Sequence, residues 1–252
     1  DFIWKDKPLA DLLGHKVPVD YIIASHVVEH VPDLIGWLKE MHDALKDGGA
    51  LILIVPDKRY TFDFHRRPSA FEEIRLAYAE RRRRPGLRCI MDHIANVVKL
   101  DGDSIWDGRA STDDAPFHHD PSYLAIAAER YAAGHYIDTH CWVFTPWSFL
   151  DVLGRIDAKV GLGFDLQRFE TTAASENEFC VQLRRVAASS TDWRKAAAEA
   201  RRLAEGLDNM PALRRECTAL RQEVAALRSS TSWKMTAPMR RVAELAKRLR
   251  RP

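Results

Sequence analysis

The hydrophobic pattern changes period twice between residues 20 and 57. Tyr21-Ile22-Ile23-Ala24 is a continuous apolar run led by Asp20, and Leu51-Ile52-Leu53-Ile54-Val55 is a second, stopped by Pro56. Runs of this length predict strands buried on both faces, as in a parallel sheet. Between them Leu34, Trp37, Leu38, Met41 and Leu45 follow the spacing of one helix face. Asp33 is placed to cap that helix and Gly48-Gly49 to stop it. Strand, helix and strand with short joints predict a crossover unit, and ligands of open sheets bind outside the carboxyl ends of the strands. Ser25 to His30 and Asp57 to Tyr60 occupy those ends.

Further along, residues 70–84 carry a helical pattern that ends in Arg81-Arg82-Arg83-Arg84 before Pro85-Gly86. An anionic substrate or a membrane surface would suit the arginines. The plainer reading, a solvated helix end favoured by the macrodipole, is preferred. Residues 101–121, rich in Asp, Gly, Ser and Pro, predict loop, and residues 122–133 a short helix. Thr145 and Pro146 have the residue types of an N-cap and a first helical position, ahead of a helix over 147–156. Phe164 to Phe169 and Glu178 to Leu183 predict two more strands. Last, Leu213, Cys217, Leu220, Val224 and Leu227 form a heptad seam, with Leu203, Leu207 and Met210 as an earlier piece. After Pro238, Met239, Val242, Leu245 and Leu249 share a face surrounded by arginine and lysine, a basic amphipathic helix.

Charge divides the chain. Residues 191–252 hold 15 Lys and Arg against 7 Asp and Glu, while the remainder holds 23 against 29. The change falls at Ala187-Ala188-Ser189-Ser190, which predicts a first domain over 1–187 and a helical tail over 191–252. No stretch approaches the run of roughly 20 apolar residues that a membrane span needs. Four isolated cysteines fit neither a zinc spacing nor a disulfide framework and suit a reducing cytoplasm.

In order, Asp20, Ser25-His26-Val27-Val28-Glu29-His30-Val31, Gly48-Gly49 and Pro56-Asp57 resemble the signature of class I S-adenosylmethionine (SAM)-dependent methyltransferases of the type 11 branch. The resemblance implies an α/β fold: an incomplete Rossmann-like sheet, a helical cap inserted over about 57–141, and two antiparallel closing strands. It departs from the family at the start, where the glycine-rich loop and the ribose-holding acid have no counterpart. Only Asp1 and Phe2 match the adenine-side loop. The chain therefore reads as a fragment or truncated gene product, and SAM is the implied cofactor without this chain alone being expected to hold it. The segment Ser229 to Arg240 resembles a short tail beside coiled coils in bacterial polysaccharide-modifying enzymes.

Methyl transfer from a sulfonium is an in-line displacement, so the protein must align the acceptor and remove its proton. His26, Glu29 and His30 are the catalytic candidates, because histidine titrates near neutrality and Glu29 can orient either ring. Asp1, Phe2, Ser25 and His26 are the cofactor-side candidates, and Asp57, Arg59, Tyr60 and His140 the acceptor-side ones. His93, His118, His119, His135 and His140 match no tight ligand motif, so no metal is expected. Two functions are open. One is methyl transfer to a small molecule, with a surface-polysaccharide sugar suggested by the tail alone. The other is a non-catalytic, degenerate methyltransferase domain that docks through its coiled coil. Expected partners are the acceptor, a helix or second copy through 203–227, and an anionic membrane surface through 238–251 of a cytoplasmic protein. Nucleic acid is not expected, because the basic tail lacks interleaved aromatics.

Overall fold

The computed structural model of the chain describes residues 9–100, 102–106, 115–208, 219–220 and 222–226. The chain divides into two compact units, Asp1–Asp208 and Asn209–Pro252.

The first unit opens with a short helix, α1 (Leu9–Leu13), followed by β1 (Val19–Ser25), α2 (Leu34–Ala44) and β2 (Leu45–Pro56). The segment expected to form the cap, and called the cap below, follows as α3 (Phe71–Ala79), α4 (Leu87–Asn96), α5 (Gly102–Trp106) and α6 (Tyr123–Ala132). Then come α7 (Pro146–Val160), β3 (Phe164–Glu170), β4 (Glu178–Arg185) and α8 (Trp193–Asp208). The strands form one mixed sheet in the order β1-β2-β4-β3. β1 and β2 are parallel, and β4 runs antiparallel to both β2 and β3.

The core lies where the apolar face of α2 meets the sheet and α7. Leu34, Leu38 and Met41 from α2, Leu51, Leu53 and Val55 from β2, Phe149, Leu153 and Ile156 from α7, and Val181 and Leu183 from β4 are all buried. Asp33 caps α2 by accepting a bond from the Gly36 amide at 2.9 Å. Thr145 and Ser148 form a capping box at α7, with Pro146 in its first turn. Both caps stand where the sequence places them.

Several expectations are corrected. Among the described residues β1 is an edge strand with only its Ile22 and Ala24 face covered, so Tyr21 and Ile23 on the other face are 64% and 58% exposed rather than buried. Gly48-Gly49 does not end α2, which already stops at Ala44; Gly48 turns at φ +76° inside the irregular start of β2. α3 ends at Ala79, and residues 87–96, unassigned from the sequence, form α4. Ile90 and Ile94 of α4 bury a small second core with Ala127 of α6, which gives the cap its own packing. Residues 102–106 of the expected loop are helical. α8 belongs to the first unit: Ala200 and Ala204 are buried, and Trp193 lies against Gly154 of α7. The charge change near 187 thus falls inside that unit.

In the second unit residues 219–220 and 222–226 are helical, and Leu220 and Val224 are exposed. The other seam residues Met210, Leu213, Cys217 and Leu227, the Leu207 side chain and the whole of 238–251 lie outside the described residues, as do Asp1 and Phe2. No helix among the described residues is long and apolar enough to cross a membrane.

Candidate functional site

His26 stands immediately after β1. Its amide donates to the Ile54 carbonyl at 3.0 Å, which ties the strand end to β2, and its φ is +52°. A β-region strand end followed by a left-handed, non-glycine residue is a strained turn of the kind that gathers at functional sites. The half-exposed ring bonds Glu178 through Nε2 at 2.6 Å, and its Nδ1 lies 3.5 Å from Glu29 Oε1. Glu178 opens β4, and the register that pairs Pro56 with Glu178 brings it to the carboxyl end of the parallel strands.

Glu29 lies in the 3₁₀ turn Val28–His30. It is 0% exposed, and neither carboxylate oxygen has a hydrogen-bond partner. Its carbonyl accepts from the amides of Cys141 and Trp142 at 2.6 and 3.2 Å, and Trp142 Nε1 donates to the Val31 carbonyl at 2.6 Å. These bonds fasten the segment after the cap to the turn after β1 and set His140 beside His30. The two rings meet edge to face, with centroids 4.8 Å apart. His30 Nδ1 bonds Asp138 at 3.0 Å, and His140 Nδ1 bonds Asp63 at 2.5 Å. One candidate ligand atom from each of Glu29, His30 and His140 lies within 4.8 Å of the other two.

A buried ion pair backs this cluster. Arg66 donates to Asp63 at 2.8 Å, to Asp92 at 2.8 Å and to the His140 carbonyl at 3.0 Å. Burial opposes the charge on Asp63, but the bond from His140 and the Arg66 guanidinium outweigh it and hold the carboxyl below its ordinary range. Burial, reinforced by Arg66, pushes neighbouring His93 down to about 4. His93 and His140 are separated by 6.0 Å between ring centres, and His119 stacks on Tyr123. Of the loop histidines named from the sequence, only His140 enters the Glu29 and His30 cluster.

The remaining acceptor-side candidates meet elsewhere in a buried corner. Asp57 is 0% exposed, pairs with Arg59 at 2.6 Å and accepts from Thr172 Oγ1 at 2.7 Å. Arg59 lies over the Tyr60 and Trp147 rings, and Tyr60 stacks on Trp106. This arrangement closes a turn and gives the corner a structural task.

Glu178, Asp63 and Arg66 were not foreseen as site residues, and Asp138 only as a sequence neighbour of the loop histidines. Only strand order and the return of the chain from the cap bring them to the histidines.

The geometry also tests the implied cofactor. A dinucleotide-type cradle needs glycine backbone at a strand's carboxyl end. Among the described residues, the first glycine after β1 is Gly36, inside α2, and the first after β2 is Gly86, ahead of α4. Ser25 and His26 stand at the right end of β1, but the described residues do not make up a complete SAM site.

A mixed α/β sheet with a helical crossover, and with titratable groups collected at the carboxyl ends of its parallel pair, has the architecture of the Rossmann-like transferases. The chain belongs to the methyltransferase family: the family described as "Methyltransferase domain" matches residues 4–160. No curated protein matches the chain, and no solved structure does. Family membership carries methyl transfer in general, and SAM as the family's general methyl donor. The match ends before β3 and β4, so Glu178 lies beyond it.

Proposed function

We propose that this domain methylates a hydroxyl of a small-molecule acceptor and that His26 takes the hydroxyl proton. The 2.6 Å bond between His26 and Glu178 carries the reading. A neutral imidazole at the strand tip can accept a proton, and the Glu178 and Glu29 carboxylates on either side stabilise the imidazolium that results. His30 and His140 form the adjoining wall, with Asp138 and Asp63 fixing their ring orientations. The methyl group is the cofactor's contribution; this chain's residues orient the acceptor and hold its proton. A sugar acceptor from surface polysaccharide is supported by the tail resemblance, contact of 203–227 with another helix by the heptad seam, and contact of 238–251 with an anionic membrane surface by the basic amphipathic pattern.

The test is methyl transfer by the natural gene product from labelled SAM to a panel of hexoses and other polyols. O-methylated product, with turnover lost in His26→Ala, supports the reading; product methylated on nitrogen or carbon, or unchanged turnover in His26→Ala, overturns it. Exposed Tyr21 and Ile23 on β1 favour a second reading, a non-catalytic docking domain. That reading gains if the natural gene product binds neither SAM nor any acceptor.

A further inference from the structure

We propose that Glu29, His30 and His140 form a binding site for one divalent transition-metal ion. Three observations converge on it. The Glu29 carboxylate is fully buried and neither oxygen has a hydrogen bond, His26 Nδ1 at 3.5 Å being within ion-pair reach only when that ring is protonated. A buried carboxylate in that state needs a positive partner or must take up a proton. Two imidazoles lie beside it, and each has its Nδ1 engaged by a carboxylate, Asp138 for His30 and Asp63 for His140. This fixes the ring orientations and leaves Nε2 as the nitrogen available to a ligand. A histidine whose far nitrogen is held by a carboxylate is the usual arrangement behind a metal-ligating imidazole. Finally, one ring nitrogen of each histidine and one Glu29 oxygen already lie within 4.8 Å of one another. Tetrahedral zinc ligands stand about 3.4 Å apart, so small side-chain rotations would close the site.

The donor set selects the ion. Two neutral nitrogens and one carboxylate oxygen suit zinc, iron(II), manganese(II) or cobalt(II), whereas magnesium and calcium prefer all-oxygen shells. Three protein ligands leave coordination positions open. The spacing of histidines along the chain does not reveal this set, because Glu29 and His30 come from the turn after β1 and His140 from the segment after the cap.

The binding claim stands on these ligands alone. Its use in catalysis rests on the function proposed above. An acceptor hydroxyl that entered an open position would have its pKa lowered; its O–H bond would break, its proton would pass to His26, and its oxygen would stay bound to the ion.

The test uses the full chain stripped with a chelator and titrated with Zn²⁺ by calorimetry and with Co²⁺ by visible absorption. One ion per chain is expected, with Co²⁺ giving the intense bands of a low-coordinate site. Glu29→Gln and His30→Asn should each weaken Zn²⁺ at least tenfold. Asp138→Asn, at an exposed carboxylate, should weaken it without disturbing the core, as judged by circular dichroism. A His118→Asn/His119→Asn double variant should bind as the parent does. Failure to bind one equivalent overturns the proposal. So does binding that survives both Glu29→Gln and His30→Asn, or binding lost in the double variant. Absent O-methylation with Zn²⁺ binding intact would refute the proposed function and leave this site standing.

Discussion

His26 Nε2 and Glu178 Oε2 lie 2.6 Å apart although 152 residues separate them in the chain. The fold produces this contact in two steps. A parallel register sets Ser25 opposite Ile54, and an antiparallel register sets Pro56 opposite Glu178. A residue just past the end of the first strand thus meets the residue that starts the last.

The pair yields the first prediction. If His26 is the proton acceptor, His26→Ala should lower kcat for a hydroxyl acceptor by about 10²- to 10⁴-fold, the usual range for a general base. Glu178→Gln keeps the shape and removes the charge, so it should lower kcat less and leave acceptor KM nearly unchanged. Equal, full activity in both variants would remove the assignment.

Cofactor binding gives a second prediction. The described residues place Ser25 and His26 at the tip of β1 and provide no glycine cradle beside them. Calorimetric titration of this chain alone with SAM should therefore give no saturable heat. A tight, stoichiometric isotherm would show that the present residues suffice.

How far the sequence reaches is visible in these same residues. Local signals carried well: the caps at Asp33 and Thr145 and the four strands of the described residues follow from periodicity and residue type. The turn from Ser25 to His30 was legible because its residues are contiguous. What failed needs neighbours that the pattern does not name. Tyr21 and Ile23 look like core residues until the sheet order makes β1 an edge. α4 buries only Ile90 and Ile94 of its apolar residues, and its partner face on α6 comes from a distant stretch. That Asp57 and Arg59 follow a strand is plain in the sequence, whereas the bond between Asp57 and Thr172 is set by the fold. Asp63, Asp138 and Glu178 gain their partners only through tertiary approach.

The buried pair behind His140 gives a third prediction. The side chains of Asp63 and Arg66 are 3% and 2% exposed. Removing one partner of such a pair leaves the other charge buried, at a cost of about 3–5 kcal/mol. Arg66→Met should lower urea-unfolding stability by roughly that amount, while the Asp63→Asn/Arg66→Met double variant should recover part of it. A single variant as stable as the parent would mean that solvent reaches Asp63.

His93 supplies a pH dependence of definite sign. Burial and Arg66 depress it to about 4, against about 6.5 in the unfolded chain. Between those values the unfolded state binds a proton that the folded state refuses. The His93 contribution is therefore lost as pH falls from about 6.5 to about 4 and changes little below that, amounting to on the order of 3 kcal/mol. Urea unfolding at several pH values, with a chelator present, should show the slope in the parent and lose it in His93→Gln. An identical slope in both would place the titration elsewhere.

The contact between α7 and α8 decides where the first unit ends. A Cβ added at Gly154 would stand 2.5 Å from Trp193 Cβ, closer than real side chains approach, and the neighbouring atom belongs to a stem that cannot swing aside. The facing side of α8 is built from small residues, with Ala200 and Ala204 buried and Ala196 and Ala197 packed at the margin. Gly154→Ala must therefore displace α8. Overpacking of this kind costs about 1–3 kcal/mol, while alanine in place of a mid-helix glycine returns about 1 kcal/mol. The net loss should be modest, but it should fall on one helix. Limited proteolysis is the sensitive measure: cleavage across residues 186–192 should accelerate in Gly154→Ala while the sheet stays intact. If α8 were instead part of the tail, as the charge change near 187 suggests, the substitution would stabilise α7 slightly and leave the cleavage rate alone. The two boundaries thus predict opposite signs for one substitution.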